Sequence, residues 1–207
     1  MKIIRKKQIK NKTNKSVTHL LVKGLVLVLA FFGSLTLIAE KKEPPFVPKT
    51  HKEQFIADIS TEAQSLYVKY GVLPSISISQ AILESDWGTS SLATKNGNYY
   101  GIKGGGVENG SPFFTKEYLK NSDQWIEIEA TFRKYDSWQE SMEDHAKLLV
   151  YGTKWNPELY RSVIEAADYK EAAYALQTAG YATDPRYPEK LIRLIEQYQL
   201  DQYDHSM

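Results

Sequence analysis

Glu84 closes an apolar run, Ala81-Ile82-Leu83, and is followed by Ser85, Asp86, Trp87 and Gly88 and then by a stretch rich in Gly, Asn and Ser. A carboxyl at the wet end of an apolar helix, beside an indole, is partly desolvated. Desolvation penalises the charged form, so such a group stays protonated near neutrality. A neutral carboxyl can hand its proton to a glycosidic oxygen as a sugar leaves. The same spacing also describes an ordinary surface glutamate, so Glu84 alone is not decisive. Glycoside chemistry needs a second carboxylate to stabilise the oxocarbenium ion or activate water. Glu117, Glu127 and Glu129 are the candidates. Glu127 and Glu129 alternate with Ile126, Ile128 and Ala130 and fall on the polar face of a strand, where a solvated carboxylate is the default. Glu117 alternates with Phe113, Thr115 and Leu119 and shares their face, a costlier place for a charge.

Other chemistries are excluded or weak. There is no cysteine among 207 residues, which removes thiol nucleophiles, disulfides and cysteine-ligated metals. Gly-rich phosphate loops, HExxH and GxSxG are missing. His145 follows Asp144 inside an amphipathic pattern with no second histidine at metal-ligand spacing, and reads as a packed helix residue. No metal or organic cofactor is expected. The formal net charge of +1 conceals an asymmetry. Residues 1–39 hold eight of the 26 bases and no acid, so the remainder carries 18 bases against 25 acids. A domain that acidic lacks the basic face that nucleic-acid phosphates require.

These carboxylates must be positioned by the elements around them. Phe55, Ile59, Ala63, Leu66, Tyr67 and Tyr70 recur at helical spacing up to Gly71. Pro74-Ser75 opens a second segment through Ser85. Its Ser-Ile-Ser-Ile-Ser alternation also fits a strand, but Ile78, Ala81 and Ile82 share a helical face and Gly88 offers a stop. Residues 90–106 read as loop. Phe113–Leu119 and Gln124–Lys134 flank a polar turn as a hairpin. Ser137 with Glu140 forms a capping box before Met142, His145, Leu148 and Leu149. Helices are expected from Asn156-Pro157 through Ala167, from Asp168 to Gly180, and from Asp184-Pro185 with Leu191, Ile192, Ile195 and Tyr198 inward. The fold class is α+β, mainly helical with one inserted hairpin.

The N-terminus carries an address. After the basic stretch, residues 24–39 are uncharged and mostly apolar, between a signal-peptide core and a full membrane span in length. This gives four parts: 1–39, a basic and hydrophobic export signal or membrane anchor, with cleavage left open; 40–50, a Pro-rich linker; 51–202, the catalytic domain; and 203–207, a tail. The chain is expected to be exported to the cell surface, secreted or membrane-anchored by its N-terminus, as a monomer.

Five motifs now occur in one order: Ala81-Ile-Leu-Glu-Ser-Asp-Trp-Gly88, Asn98-Tyr-Tyr-Gly-Ile-Lys103, Thr115-Lys-Glu-Tyr118, Phe132-Arg-Lys-Tyr-Asp-Ser137 and Gly180-Tyr-Ala-Thr-Asp-Pro185. Together they resemble the bacterial endo-β-N-acetylglucosaminidases of glycoside hydrolase family 73, peptidoglycan hydrolases often called autolysins. The resemblance spans about Lys52 to Tyr198. It implies a lysozyme-like fold, with a helical lobe, a small β-lobe and a glycan groove between them. It implies Glu84 as general acid, Glu117 as second carboxylate, and Tyr181 in the groove near the acid. Trp87, Asn98, Tyr99 and Tyr100 match further substrate-contacting positions, with one of the three aromatics stacking on a sugar ring and the others packing the groove floor. Tyr99-Tyr100 stands where Leu-Phe is frequent, a mild departure. The implied partner is the peptidoglycan glycan strand. Two alternatives stay open: muramidase or lytic transglycosylase action on the neighbouring linkage, and a non-catalytic, membrane-tethered glycan-binding module.

Overall fold

The computed structural model describes residues 49–104, 109–119 and 121–205. The expected export segment and most of the linker lie outside them. The described elements run α1 His51–Tyr70, α2 Pro74–Ser85, α3 Ser91–Asn96, β1 Gly110–Leu119, β2 Gln124–Arg133, α4 Trp138–Tyr151, α5 Arg161–Ile164, α6 Tyr169–Thr178, α7 Tyr187–Tyr198 and a 3-10 turn, Leu200–Tyr203. Among these residues no helix is long and apolar enough to cross a membrane.

Capping chemistry sets several boundaries. Thr50 and Glu53 form a reciprocal capping box at the start of α1, and Gly71 closes that helix in the left-handed region, which costs a glycine little. Ser137 caps α4 through Glu140 N–H at 3.2 Å, and Asp168 caps α6 through Lys170 and Glu171 N–H.

Helix α2 is the axis of the core. Ile76, Ile78, Ala81 and Ile82 are buried, and so are Ser75, Ser77 and Ser79. The Ser/Ile alternation is therefore not a strand with one wet face but a helix covered on all sides, which requires every hydroxyl to be satisfied. Ser75 Oγ donates to Asp204 Oδ2 at 2.6 Å, Ser77 Oγ meets the Tyr100 hydroxyl at 3.1 Å, and Ser79 Oγ donates to Ile76 O at 3.1 Å. Around this axis Ile59, Met142, Leu149, Leu176, Leu191 and Ile195 complete the core.

The hairpin pairs antiparallel with Glu117 opposite Ile126, Thr115 opposite Ile128 and Phe113 opposite Ala130. Its inner face is half-buried while Phe114 and Trp125 on the other face are exposed. Ile102–Gly104 flanks β2: Lys103 bridges to Phe132, Arg133 N–H donates to Ile102 O, and Gly104 N–H donates to Thr131 O.

Three expectations are corrected. The loop at 90–106 contains α3, started by Ser90, whose Oγ accepts from Ala93 N–H. Helix α2 stops at Asp86 rather than Gly88. The helix expected over Asn156–Ala167 contracts to α5, because reciprocal Thr153–Asn156 contacts and Asn156 O accepting from Leu159 N–H tighten residues 153–159 into turns.

Candidate active site

Glu84 sits in the last turn of α2, and the backbone just beyond it is unusual. Asp86, Trp87 and Gly88 are consecutive left-handed residues, with φ of 49°, 58° and 75°. For the two non-glycines this conformation costs about 1–2 kcal/mol each, so the surroundings must hold it. Ser85, fully buried, donates through Oγ to Ala81 O at 2.5 Å and accepts from Gly88 N–H at 2.7 Å. A Cβ at Gly88 would lie 2.9 Å from the Phe55 ring, so only glycine lets the turn pack there. The serine after the acid is thus the peg that fixes the turn behind it.

The carboxyl of Glu84 meets α7. Tyr187 Oη donates to Glu84 Oε1 at 2.8 Å, and Gln80 Nε2 donates to Tyr187 Oη at 3.0 Å. Gln80 and Tyr187 are both buried. Tyr181 stacks on Tyr187 at 5.8 Å between ring centres and meets His145 edge-on at 5.9 Å. Burial in this aromatic pocket raises the Glu84 pKa to about 7, against the lowering pull of the Tyr187 hydrogen bond and the Lys190 ammonium. Near neutral pH it is a carboxyl poised to give up a proton. His145 does not compete: burial drives its pKa down to about 3, it is neutral, it stacks on Tyr100 at 3.9 Å, and its ring nitrogens have no hydrogen-bond partner among the described residues.

Glu117 has different surroundings. Lys103 Nζ lies 2.5 Å from Oε1, and Thr183 Oγ1 donates to Oε2 at 3.3 Å. Glu117 is thus partly exposed and paired with an ammonium, whereas the Glu84 carboxyl is enclosed beside stacked tyrosines, so the two glutamates sit in different environments. Both are also tied to one segment. Thr183 holds Glu117, and Tyr187, four residues on, holds Glu84. A turn closed by Tyr187 N–H donating to Asp184 O keeps those two anchor points within about 11 Å.

The remaining expected residues divide. Tyr181 is half-buried beside Tyr187 and belongs with the acid. Tyr100 is 3% exposed and packs inward, its hydroxyl on Ser77, so it presents no face for a sugar. Asn98, 1% exposed, is corrected from a sugar contact to a loop clamp: its amide accepts from Ile102 N–H and donates to the Ile102 and Arg133 carbonyls. Trp87 and Tyr99 join a separate aromatic row, in which Trp138 stacks on Tyr99, Tyr99 on Phe55, and Trp87 lies between Phe55 and Tyr198 under Lys52. The indole expected to crowd Glu84 is thus engaged by α1 and α7, whereas Tyr187 meets the carboxyl directly. Sequence reasoning missed Tyr187, Gln80, Lys103 and Thr183. Of these only Gln80 had a signal, weak as it was, since it precedes Glu84 by one helical turn.

This geometry has relatives. The glucosaminidase family model, described as mannosyl-glycoprotein endo-beta-N-acetylglucosaminidase, matches residues 60–200, more than half of the chain. The chain belongs to the glucosaminidase family. Exo-glucosaminidase LytG of Bacillus subtilis (strain 168) is 49% identical over 178 residues, covering 85% of this chain and 62% of LytG. A Lactococcus lactis subsp. cremoris protein named "Probable N-acetylmuramidase" is 36% identical, covering 87% of this chain and 42% of its own length. The chain thus spans less than two thirds of these curated relatives. Among solved structures, the catalytic domain of the Listeria monocytogenes autolysin Auto superimposes with a TM-score of 0.68 at 39% identity, covering 86% of this chain and 97% of that domain. The lysozyme-like α+β architecture of family members is the fold described above.

Within this aromatic pocket the Tyr187 hydroxyl is both donor and acceptor. Tyr187→Phe should raise the Glu84 pKa further, because a hydrogen bond favouring the ionised form is lost. It should also destabilise the domain by about 1–3 kcal/mol, because the buried Gln80 amide loses its partner. Carbon-13 titration of Glu84 and denaturant melts check both; an unchanged or lowered titration midpoint would remove Tyr187 from control of the acid.

Proposed function

We propose that the domain hydrolyses peptidoglycan glycan strands at the β-1,4 bond between N-acetylglucosamine and N-acetylmuramic acid, leaving N-acetylglucosamine at the new reducing end. The observation that carries this reading is Glu84, a carboxyl whose pKa burial raises to about 7 at the end of α2. Glu84 protonates the leaving oxygen as the anomeric C–O bond breaks. The developing positive charge is met in one of two ways. Either the Glu117 side chain guides a water to the anomeric carbon, or the substrate's acetamido oxygen attacks it first and water opens the resulting ring. Water supplies the new hydroxyl in both routes, and Glu84 recovers its proton from solvent. Tyr181, beside the acid, is the aromatic wall against which a sugar packs. Neither route calls on a metal or an organic cofactor.

The basic and apolar N-terminus supports delivery across a membrane to the wall, where this substrate lies. The domain acts there as a monomer, secreted or held by that segment.

Mass spectrometry of fragments released from purified peptidoglycan tests the linkage. Reducing N-acetylglucosamine supports the proposal; reducing or anhydro N-acetylmuramic acid would replace it with the muramidase or transglycosylase reading. The name of the Lactococcus relative is the observation favouring that alternative. The sizes of the same fragments separate internal cleavage, expected from the motifs, from the terminal cleavage named in LytG.

A further inference from the structure

Glu117 is held by two residues that the proposed chemistry leaves without a role, and they reach it from opposite sides of the hairpin. Lys103 belongs to the segment flanking β2 and bridges to Phe132. Glu117 lies on β1 opposite Ile126. Phe132 and Ile126 are six residues apart on one strand, which in a straight ribbon is about 20 Å. A lysine and a glutamate side chain together span about half of that. Yet Lys103 Nζ lies 2.5 Å from Glu117 Oε1. The hairpin must therefore curl over its inner face, and this ion pair closes the curl.

The second tether is Thr183. Its single hydroxyl accepts from Tyr118 N–H at 3.2 Å and donates to Glu117 Oε2 at 3.3 Å. With the oxygen occupied by a main-chain donor, the hydroxyl hydrogen is directed to the carboxylate. Thr183 therefore fixes the β1 backbone and the neighbouring side chain with one atom. Both oxygens of Glu117 are thus engaged, from two separate segments. Lys103 and Thr183 are exposed, and the Lys103 side chain keeps 50% of its surface in this pair. Exposed pairs contribute only about 0–1 kcal/mol to stability, so the arrangement matters for direction more than for holding the fold.

We infer that Lys103 and Thr183 are positioning residues: together they hold the curled hairpin so that the Glu117 carboxylate faces the segment that also anchors Glu84. This rests on the reading of Glu117 as second carboxylate given above. Neither residue touches the reacting atoms; each acts through Glu117.

The test is a set of double-mutant cycles on purified full-length protein, with kcat and KM measured on soluble glycan strands. Thr183→Val, which removes the hydroxyl at nearly constant shape, should lower kcat about tenfold or more with KM changed less than about twofold, as a displaced catalytic group does. Thr183→Ser should restore most of it. Lys103→Met should behave like Thr183→Val, and Lys103→Arg should retain more activity than Lys103→Met. Thermal melting should shift little in all four. In a Glu117→Gln background, Thr183→Val and Lys103→Met should have no further effect. Equal losses with and without the Glu117 carboxylate would overturn the inference, because these residues would then act independently of it. So would loss confined to KM. Neither result would touch Glu84, whose role is read separately from its own variant.

Discussion

Glu84→Gln should reduce glycan cleavage by about a thousandfold or more, within the range a positioned general acid contributes, with secondary structure and binding to cell-wall material retained. The substitution is nearly isosteric. A glutamine carbonyl at the same place can still accept from the Tyr187 hydroxyl, which donates to Glu84 at 2.8 Å, so the Gln80–Tyr187 chain keeps its terminus. What the amide cannot do is deliver a proton to a departing sugar oxygen. Kinetics on soluble glycan strands, with a zymogram as a coarse check, read the outcome. Equal clearing by mutant and parent would remove Glu84 from the mechanism. Loss of clearing together with loss of fold would be an unfolding effect, and circular dichroism distinguishes the two.

The same variant should be more stable than the parent at neutral and alkaline pH. In the folded domain Glu84 holds its proton to about pH 7, whereas in the unfolded chain it ionises around 4.5. Between those values the folded state binds more protons than the unfolded state. The parent's unfolding free energy therefore falls as pH rises from 4.5 to 7 and loses nothing further from this group above that. The full difference is about 3 kcal/mol at 1.36 kcal/mol per pH unit. Glutamine does not titrate. Glu84→Gln should accordingly match the parent near pH 4 and exceed it by about 2–4 kcal/mol at pH 8, roughly 5–10 °C in melting temperature for a domain of this size. Denaturant melts of both proteins at the two pH values measure it. Comparing the pair cancels every other titrating group. A pH-independent difference would mean that Glu84 carries no raised pKa. The expected pH-dependent difference would make the site an example of stability given up for chemistry, since burying this carboxyl weakens the fold at neutral pH.

Much of the scaffold was legible because it is locally encoded. The capping residues Ser137 and Asp168, the helical spacing from Phe55 to Tyr70 and the inward row Ile126, Ile128, Ala130 and Phe132 all act through neighbours within a few residues. Where the reading was ambiguous, at Ser75 to Ser79, the answer lay in long-range partners: Asp204 for Ser75 and Tyr100 for Ser77. Periodicity carries no such information for a helix buried on all sides. The helix expected after Asn156 was lost to side-chain and main-chain contacts that compete with helical hydrogen bonds, a contest that spacing does not record.

At the site, Glu84 and Glu117 stood out because a carboxylate among apolar neighbours is costly wherever the chain folds. The rest followed motif order, and order does not specify direction. Tyr99 and Tyr100 are adjacent, yet one joins the row of Phe55 and Trp138 while the other stacks on His145. Tyr187 and Thr183 went unrecognised because their partners are 103 and 66 residues away in the chain. The partner that crowds the acid was expected from the nearby indole and is instead a tyrosine from the last helix.

The most direct measurement is the titration of the Glu84 side-chain carbon by NMR in the intact protein, set beside the pH dependence of glycan hydrolysis. A midpoint of about 7 that coincides with the alkaline fall in kcat/KM is the expected result. A midpoint near 4.5, with hydrolysis undiminished at pH 6, would show that cleavage proceeds with this carboxylate already ionised and would contradict its assignment as the proton donor.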